Sequence, residues 1–357
     1  MATDTAPVAT GAPPDERVRR VSLASRLFSR PELGALVAVV LVWVFFAIVA
    51  RDNNFVSWAS TASILNAAAP LGILAIAVSL LMIAGEFDLS IGSIVGFSGM
   101  AIMLLVTSTD QGGWGWSLTP ALLVALGLAL LIGWFNGQLV VKTKLPSFII
   151  TLGSLFIFRG LAIAIPRSVS RRTQLGGLNA ADGFEPIRVL FGTKYQVFGA
   201  RWDVAILWMV GLALLATWIL LRTRPGNWIF GIGGDNNASR NVGVPVNRMK
   251  TILFMTTAFA GFLVALIFAV QFNGSDSLRG TQMEFRAIIS AVVGGTLLTG
   301  GYGSVIGAVL GAIVFAMVQQ GILITGVDGD WFQVFMGAIL VLAVILNNAI
   351  RQQASRR

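Results

Sequence analysis

The sequence contains no cysteine and no histidine. Without cysteine there is no disulfide framework and no thiol chemistry. Without histidine the chain lacks a common zinc and haem ligand, and the side chain best suited to moving protons near neutral pH. Charge is scarce too. Asp, Glu, Lys and Arg make up 11% of the 357 residues, whereas a soluble domain carries about 25%. No Gly-Lys step occurs anywhere, which excludes the phosphate loop G-x-x-x-x-G-K-[ST].

What is present is mostly apolar: 56% of the residues are hydrophobic and the mean hydropathy is +0.82. Such a chain cannot hide its surface in one aqueous core, and it reads as a polytopic membrane protein. Its 40 glycines form no low-complexity repeat, which fits helices packed closely in a bilayer. The net charge of +9 is that of a membrane protein with basic cytoplasmic ends, not of a nucleic-acid binder.

Apolar runs recur at 34–50, 62–84, 88–107, 118–139, 146–166, 204–222, 250–271, 285–300, 303–325 and 331–350. The expected fold is therefore all-α, a transmembrane bundle of about ten spans with both termini cytoplasmic. The run at 285–300 is a candidate broken helix beside its neighbour. Arg17, Arg19, Arg20, Arg26 and Arg30 mark a cytoplasmic tail over 1–32; Arg19-Arg20 is read as part of that tail, since no cleavage site follows. The permease body is expected over 33–350 and a second tail over 351–357. Lys142, Lys144, Arg222, Arg224, Arg240, Arg248 and Lys250 then lie inside. Residues 167–203 form an outer loop of short elements that carries basic residues of its own, and 223–249 form an inner loop. A faint echo relates Gly92-Ser93-Ile94-Val95-Gly96 to Gly303-Ser304-Val305-Ile306-Gly307, as in duplicated helix sets.

Four stretches carry polar residues between apolar ones. In 233–244, GGDNNASRNVGV, the third glycine of a dinucleotide fingerprint is replaced by Asn236 and a membrane helix precedes it. A short helix remains, capped by Asp235, running to Val242 and closed by Gly243 and Pro245. It is either a plain connector or a docking element. In 85–100, Glu86 and Asp88 interrupt apolar runs; Asp88 either caps the next helix or lines a path. In 135–156, Pro146 starts a helix whose Phe148, Thr151 and Ser154 share a side. In 284–314, Gly303, Gly307 and Gly311 form a ladder for close helix contact. Glu284 and Arg286 are expected at the outer interface. Arg159, in the fifth span, is expected to pair with a carboxylate or to reach outward.

Four blocks resemble the membrane permease subunit of ribose-type, carbohydrate-importing ABC transporters. They are Gly85-Glu86-Phe87-Asp88-Leu89-Ser90-Ile91-Gly92-Ser93; Asn136-Gly137 with Pro146 to Gly153; Gly231 to Arg240; and Val293 to Thr296 with Gly300 to Ser304. Their order and spacing cover about 35–350. The resemblance implies a bacterial inner-membrane homodimer importing a monosaccharide such as ribose, xylose or fructose. It implies a cytoplasmic ATPase as partner, which would hold ATP and Mg while this chain binds no cofactor or metal, and a periplasmic sugar-binding protein. It makes Gly233, Gly234, Asp235, Asn236, Asn237, Ala238, Ser239, Arg240 and Val242 the coupling helix gripped by the ATPase. Asn66, Asp88, Ser90, Phe148 and Thr151 are the candidate path residues. Two departures stand out: Glu86 replaces a usual glycine, and Phe285-Arg286 a usual Leu-Asp pair. The alternative is an ion-coupled transporter whose relay would be Glu86, Asp88, Glu284 and Arg286. An intramembrane enzyme is disfavoured by the missing nucleophile and metal-ligand sets.

Overall fold

The computed structural model describes residues 31–355. The basic stretch from Arg17 to Arg30, with Arg19-Arg20, and the terminal Arg356 and Arg357 lie outside the described residues. In chain order the main elements are α1 (Pro31–Val49), α2 (Trp58–Ile83), α3 (Ile91–Val106), α4 (Leu118–Thr143) and α5 (Ser147–Ser170). An outer stretch follows with β1 (Gln174–Gly176), α6 (Phe184–Phe191), β2 (Lys194–Val197) and β3 (Ala200–Asp203). Then come α7 (Ala205–Arg222), α8 (Arg224–Gly234), α9 (Asn236–Asn241), α10 (Val246–Gln271), β4 (Gly274–Asp276), α11 (Met283–Val293), α12 (Val305–Ile324) and α13 (Trp331–Ser355).

Each of the ten apolar runs contains a helix, as their length and apolarity predict. Among the described residues, seven of these helices are long and apolar enough to cross a bilayer: α1, α2, α4, α5, α7, α10 and α12. Two of the others, α3 and α11, are shorter, for local reasons. The chain is irregular before Ile91, so α3 starts late. The run 285–300 yields only the 11-residue α11, because Gly295, Gly300 and Gly301 adopt positive φ and turn the chain into α12.

The centre of the bundle is α2 and α10, whose apolar windows are 83% and 72% buried; the rim includes α1 at 11% and α5 and α7 at 22% each. Against α10 pack α3 and α4, while α12 packs between α2, α11 and α1. The apolar surface left on α1, α5 and α7 suits lipid or another chain, since lipid tails are as apolar as leucine and do not drive burial. On the outer side β1 pairs antiparallel with β4, and β2 with β3 across the left-handed pair Phe198-Gly199.

The internal echo is out of step with the structure. Both stretches start helices that follow an inner turn, but the residues preceding those helices are Ser90 and Ser304, whereas the echo aligns Ser93 with Ser304. Of the glycine ladder, Gly303 precedes α12. Gly307 and Gly311 lie within it, where an added β-carbon would come 2.0 Å from the carbonyl oxygens of Gly294 and Ser290.

Candidate functional site

The inner face carries the first site. Asp235 is extended and caps α9, its Oδ1 accepting from the backbone N–H of Asn237 at 2.8 Å and Ala238 at 2.9 Å. A carboxylate there satisfies donors that a helix start otherwise leaves open. Gly243 follows in the left-handed conformation, φ 85°, and Arg240 donates to Asn247 Oδ1 at 2.8 Å. Ser239 is buried beneath the helix, towards Gly231. Val242 is instead 79% exposed, an apolar side chain held outward in a polar loop, which is what a contact surface needs.

This helix is seated on the membrane part through glycine. Gly233 lies where a β-carbon would come 1.8 Å from the Ile83 carbonyl oxygen and 2.4 Å from the Gly301 nitrogen. Gly301 N–H donates to that same Ile83 oxygen at 2.8 Å. A β-carbon added at Gly300 would come 2.8 Å from the Gly85 Cα. The end of α8, the end of α2, the loop 84–90 and the α11–α12 turn therefore meet backbone to backbone.

The second site is a buried polar brace. Asp88 is 0% exposed. Its Oδ1 accepts from Ser90 N–H at 2.8 Å and Ser90 Oγ–H at 2.5 Å, and its Oδ2 from Thr257 Oγ1–H of α10 at 2.5 Å. Asn136 of α4 donates to Ser90 Oγ at 3.0 Å and accepts from Ser154 Oγ–H of α5 at 2.5 Å. Thr151 Oγ1 accepts from Leu89 N–H at 3.1 Å, and Ser147 Oγ from Phe87 N–H at 3.0 Å. Loop 84–90 is thus tied to α4, α5 and α10. Satisfied networks of this kind fix geometry, because any unmade bond in a water-free interior is costly. Asp88 organises the turn before α3, where Ser90 is the residue at the cap position.

Residues 60–344 match the family described as branched-chain amino acid transport system / permease component. The chain belongs to this family of permeases. It is 29% identical over 367 residues to the xylose transport system permease protein of Escherichia coli (strain K12), covering 89% of this chain and 92% of that protein. It is 32% identical over 322 residues to the xylose/arabinose import permease protein of Sulfolobus acidocaldarius, with 87% and 83% covered. It is 27% identical over 339 residues to the autoinducer 2 import system permease protein of Enterobacter sp. (strain 638), with 92% and 90% covered. No solved structure matches. This is a multi-pass inner-membrane permease subunit, a transport component rather than an enzyme.

Within the permease the five candidate path residues do not converge. Asp88, Ser90 and Thr151 share the brace. Asn66 sits at the outer end of α2, where its amide donates to Arg201 O at 2.9 Å and its Oδ1 accepts from Asp203 N–H at 2.8 Å. Phe148 is exposed, and the buried side of α5 begins with Ser147 instead, followed by Thr151 and Ser154. The expected outer-interface position of Glu284 is corrected: it is 4% exposed, and its Oε2 lies 1.9 Å from where a β-carbon on Gly92 would sit. The chain re-enters the bundle before α11 and carries Glu284 with it. Arg286 lies over the rings of Phe315 and Phe332. Arg159 reaches the carbonyl oxygens of Leu278 and Arg279 at 3.5 and 3.4 Å.

Sequence reasoning missed the ion pair of Glu86 with Lys250, 2.5 Å apart with both side chains 11% exposed. Glu86 was conspicuous for replacing a glycine, but nothing in the order of residues linked it to Lys250. Thr257 gave no signal, being one of three threonines in an apolar helix.

Proposed function

We propose that this permease is the membrane subunit of an ATP-driven importer of a monosaccharide of the xylose, ribose or fructose kind. It would work as two copies, with a cytoplasmic subunit that holds ATP and Mg and a periplasmic sugar-binding protein that supplies most of the selectivity. The names of its relatives support a sugar as cargo. The observation that carries the coupling is α9 itself: a capped inner helix beside the exposed Val242, seated through Gly233 on Ile83 and Gly301. ATP-driven closure of the partner would push on α9 and move the inner ends of α2, α11 and α12.

The ion-coupled alternative needs a connected relay. Glu86 is paired with Lys250, and Asp88 with Ser90 and Thr257, while Arg286 lies over two aromatic rings, so Glu86 and Asp88 are engaged separately from Arg286.

The test is uptake of labelled xylose into vesicles holding the permease, its ATPase and its binding protein. Val242→Asp touches no packed contact and should lower ATP-dependent uptake by about tenfold, the loss of one good interface contact. Asp235→Lys with Arg240→Glu should abolish it. Uptake by the permease alone down an ion gradient overturns the reading.

A further inference from the structure

Between α10 and α11 the chain does something a bilayer rarely permits. Residues 273–282 run back into the bundle without forming a helix. Their depth follows from their neighbours along α3. Positions for added β-carbons at Gly99, Gly96 and Gly92 meet Ser275, then Ser277 and Arg279, then Gly280 and Glu284. The first turn of α3 is in turn level with the middle of α10, because Gly261 faces Ile91 and Ile94 while Asp88 bonds Thr257. Thr257 and Gly261 straddle the centre of the 26-residue α10. The tip at 280–284 therefore lies near mid-bilayer.

At that depth the outward side of the tip is open. Leu278, Thr281, Gln282 and Phe285 are exposed, with Arg159 half-buried beside them. The Gln282 carboxamide has no hydrogen-bond partner among the described residues, and its backbone is left-handed, φ 65°. That conformation costs a non-glycine residue about 1 kcal/mol. Lipid cannot cover such a surface: irregular backbone and free amides occur at membrane depth only inside protein or against a water-filled cavity.

We infer that Thr281, Gln282 and Phe285, with Arg159 beside them, form a solute-contact site in the translocation path, suited to a neutral polyhydroxylated ring. The site rests on the importer reading and deepens it. A carboxamide both donates and accepts, matching a sugar hydroxyl that does the same. Thr281 Oγ–H donates to Leu278 O, which leaves its lone pairs free for an incoming hydroxyl. Phe285 offers a flat ring to the apolar face of a sugar. The carboxylate of Glu284 is buried behind the tip, so no anion stands at the surface, and Arg159 and Arg286 bias the site against cations.

The absence of cysteine makes the test direct. Single cysteines are placed by Gln282→Cys and, as a lipid-facing control, by Leu214→Cys midway along α7, where Leu214 is 67% exposed. Both are treated in vesicles with a membrane-impermeant, water-soluble thiol reagent. The expected result is reaction at Gln282→Cys at least about tenfold faster than at Leu214→Cys, because a thiol in apolar surroundings seldom ionises. Equal, slow reaction at both overturns the inference and leaves the importer reading standing. In the complete transporter, Gln282→Gly removes the amide while relieving the left-handed backbone. Maximal xylose uptake should fall about tenfold, the worth of a contact made in the path. The half-saturating xylose concentration, set by the binding protein, should stay unchanged, and Gln282→Asn should recover most of the rate. Uptake within twofold of wild type for Gln282→Gly also overturns it. Should wild-type uptake prove independent of ATP, the importer reading fails, and thiol reactivity still decides whether the tip faces water.

Discussion

Two adjacent glycines should respond oppositely to the same change. At Gly233 an added β-carbon would lie 1.8 Å from the Ile83 oxygen and 2.4 Å from the Gly301 nitrogen. Both neighbours are backbone, so no side chain can swing aside. Either α8 backs away or the 2.8 Å bond from Gly301 N–H to Ile83 O opens. Overpacking costs about 1–3 kcal/mol, and an unmade buried hydrogen bond about 1–3 kcal/mol. Whichever gives way, Gly233→Ala should therefore destabilise the permease by roughly 1–3 kcal/mol. Gly234 has nothing within 4 Å of its added carbon and no positive φ. Gly234→Ala should be neutral or stabilising by up to about 1 kcal/mol, since alanine loses less backbone freedom in a helix. The assay is unfolding in detergent followed by tryptophan fluorescence, with ATP-dependent uptake measured in parallel. Equal damage from both substitutions would refute the close-packing argument and make the glycine pair a matter of hinge flexibility.

Three further outcomes follow from the polar contacts. Asp88→Ala leaves the Ser90 N–H and Oγ–H donors without their acceptor, while the Thr257 hydroxyl keeps Phe254 O, and should cost about 2–3 kcal/mol, with Asp88→Asn less severe; detergent unfolding separates the two, and an Asp88→Ala protein of wild-type stability would sink the brace. Removing either Glu86 or Lys250 alone should destabilise by about 3 kcal/mol, whereas replacing both by methionine should restore most of it; a double variant as weak as the singles would show that the pair itself is not what matters. In the outer stretch, burial raises the carboxyl of Asp203 above its ordinary range, with Lys194, 3.7 Å away, opposing the shift. A raised folded value means stability that is complete below the unfolded range and is lost as pH climbs through the folded one. Melting curves should thus show this contribution falling as pH rises above the ordinary carboxylate range, and Asp203→Asn should flatten the trend.

The long apolar runs made the helices legible, because twenty apolar residues in a bilayer have few alternatives to a helix. The capped α9 was legible too, since Asp235 and Gly243 are local signals. Depth was not. Glu284 follows a polar stretch and looked interfacial; only the three glycines of α3 allow residues 275–284 to slide inward beside it. Nor was partnership legible. Phe148 and Thr151 are three apart and share a helical side in outline, yet Ser147 is the residue that turns inward with Thr151 and reaches Phe87. Which hydroxyl meets which backbone is set by helix rotation, and an apolar helix carries little periodic contrast to fix it.

The pairing of β1 with β4 also constrains how this chain could be recombined with its relatives. Leu175 opposes Ser275, Ser277 N–H donates to Thr173 O at 2.9 Å, and Asn273 Oδ1 accepts from Asn179 N–H at 2.7 Å. Residues about a hundred positions apart thereby hold one short ribbon. From its lower end the chain passes directly to Gln282. A chimera that imports a foreign outer loop across 171–204 but keeps the native 273–277 would mismatch the ribbon and tilt the segment beneath it. The two stretches must travel as a unit, because six paired residues hold the outer loop to the segment that leads into α11.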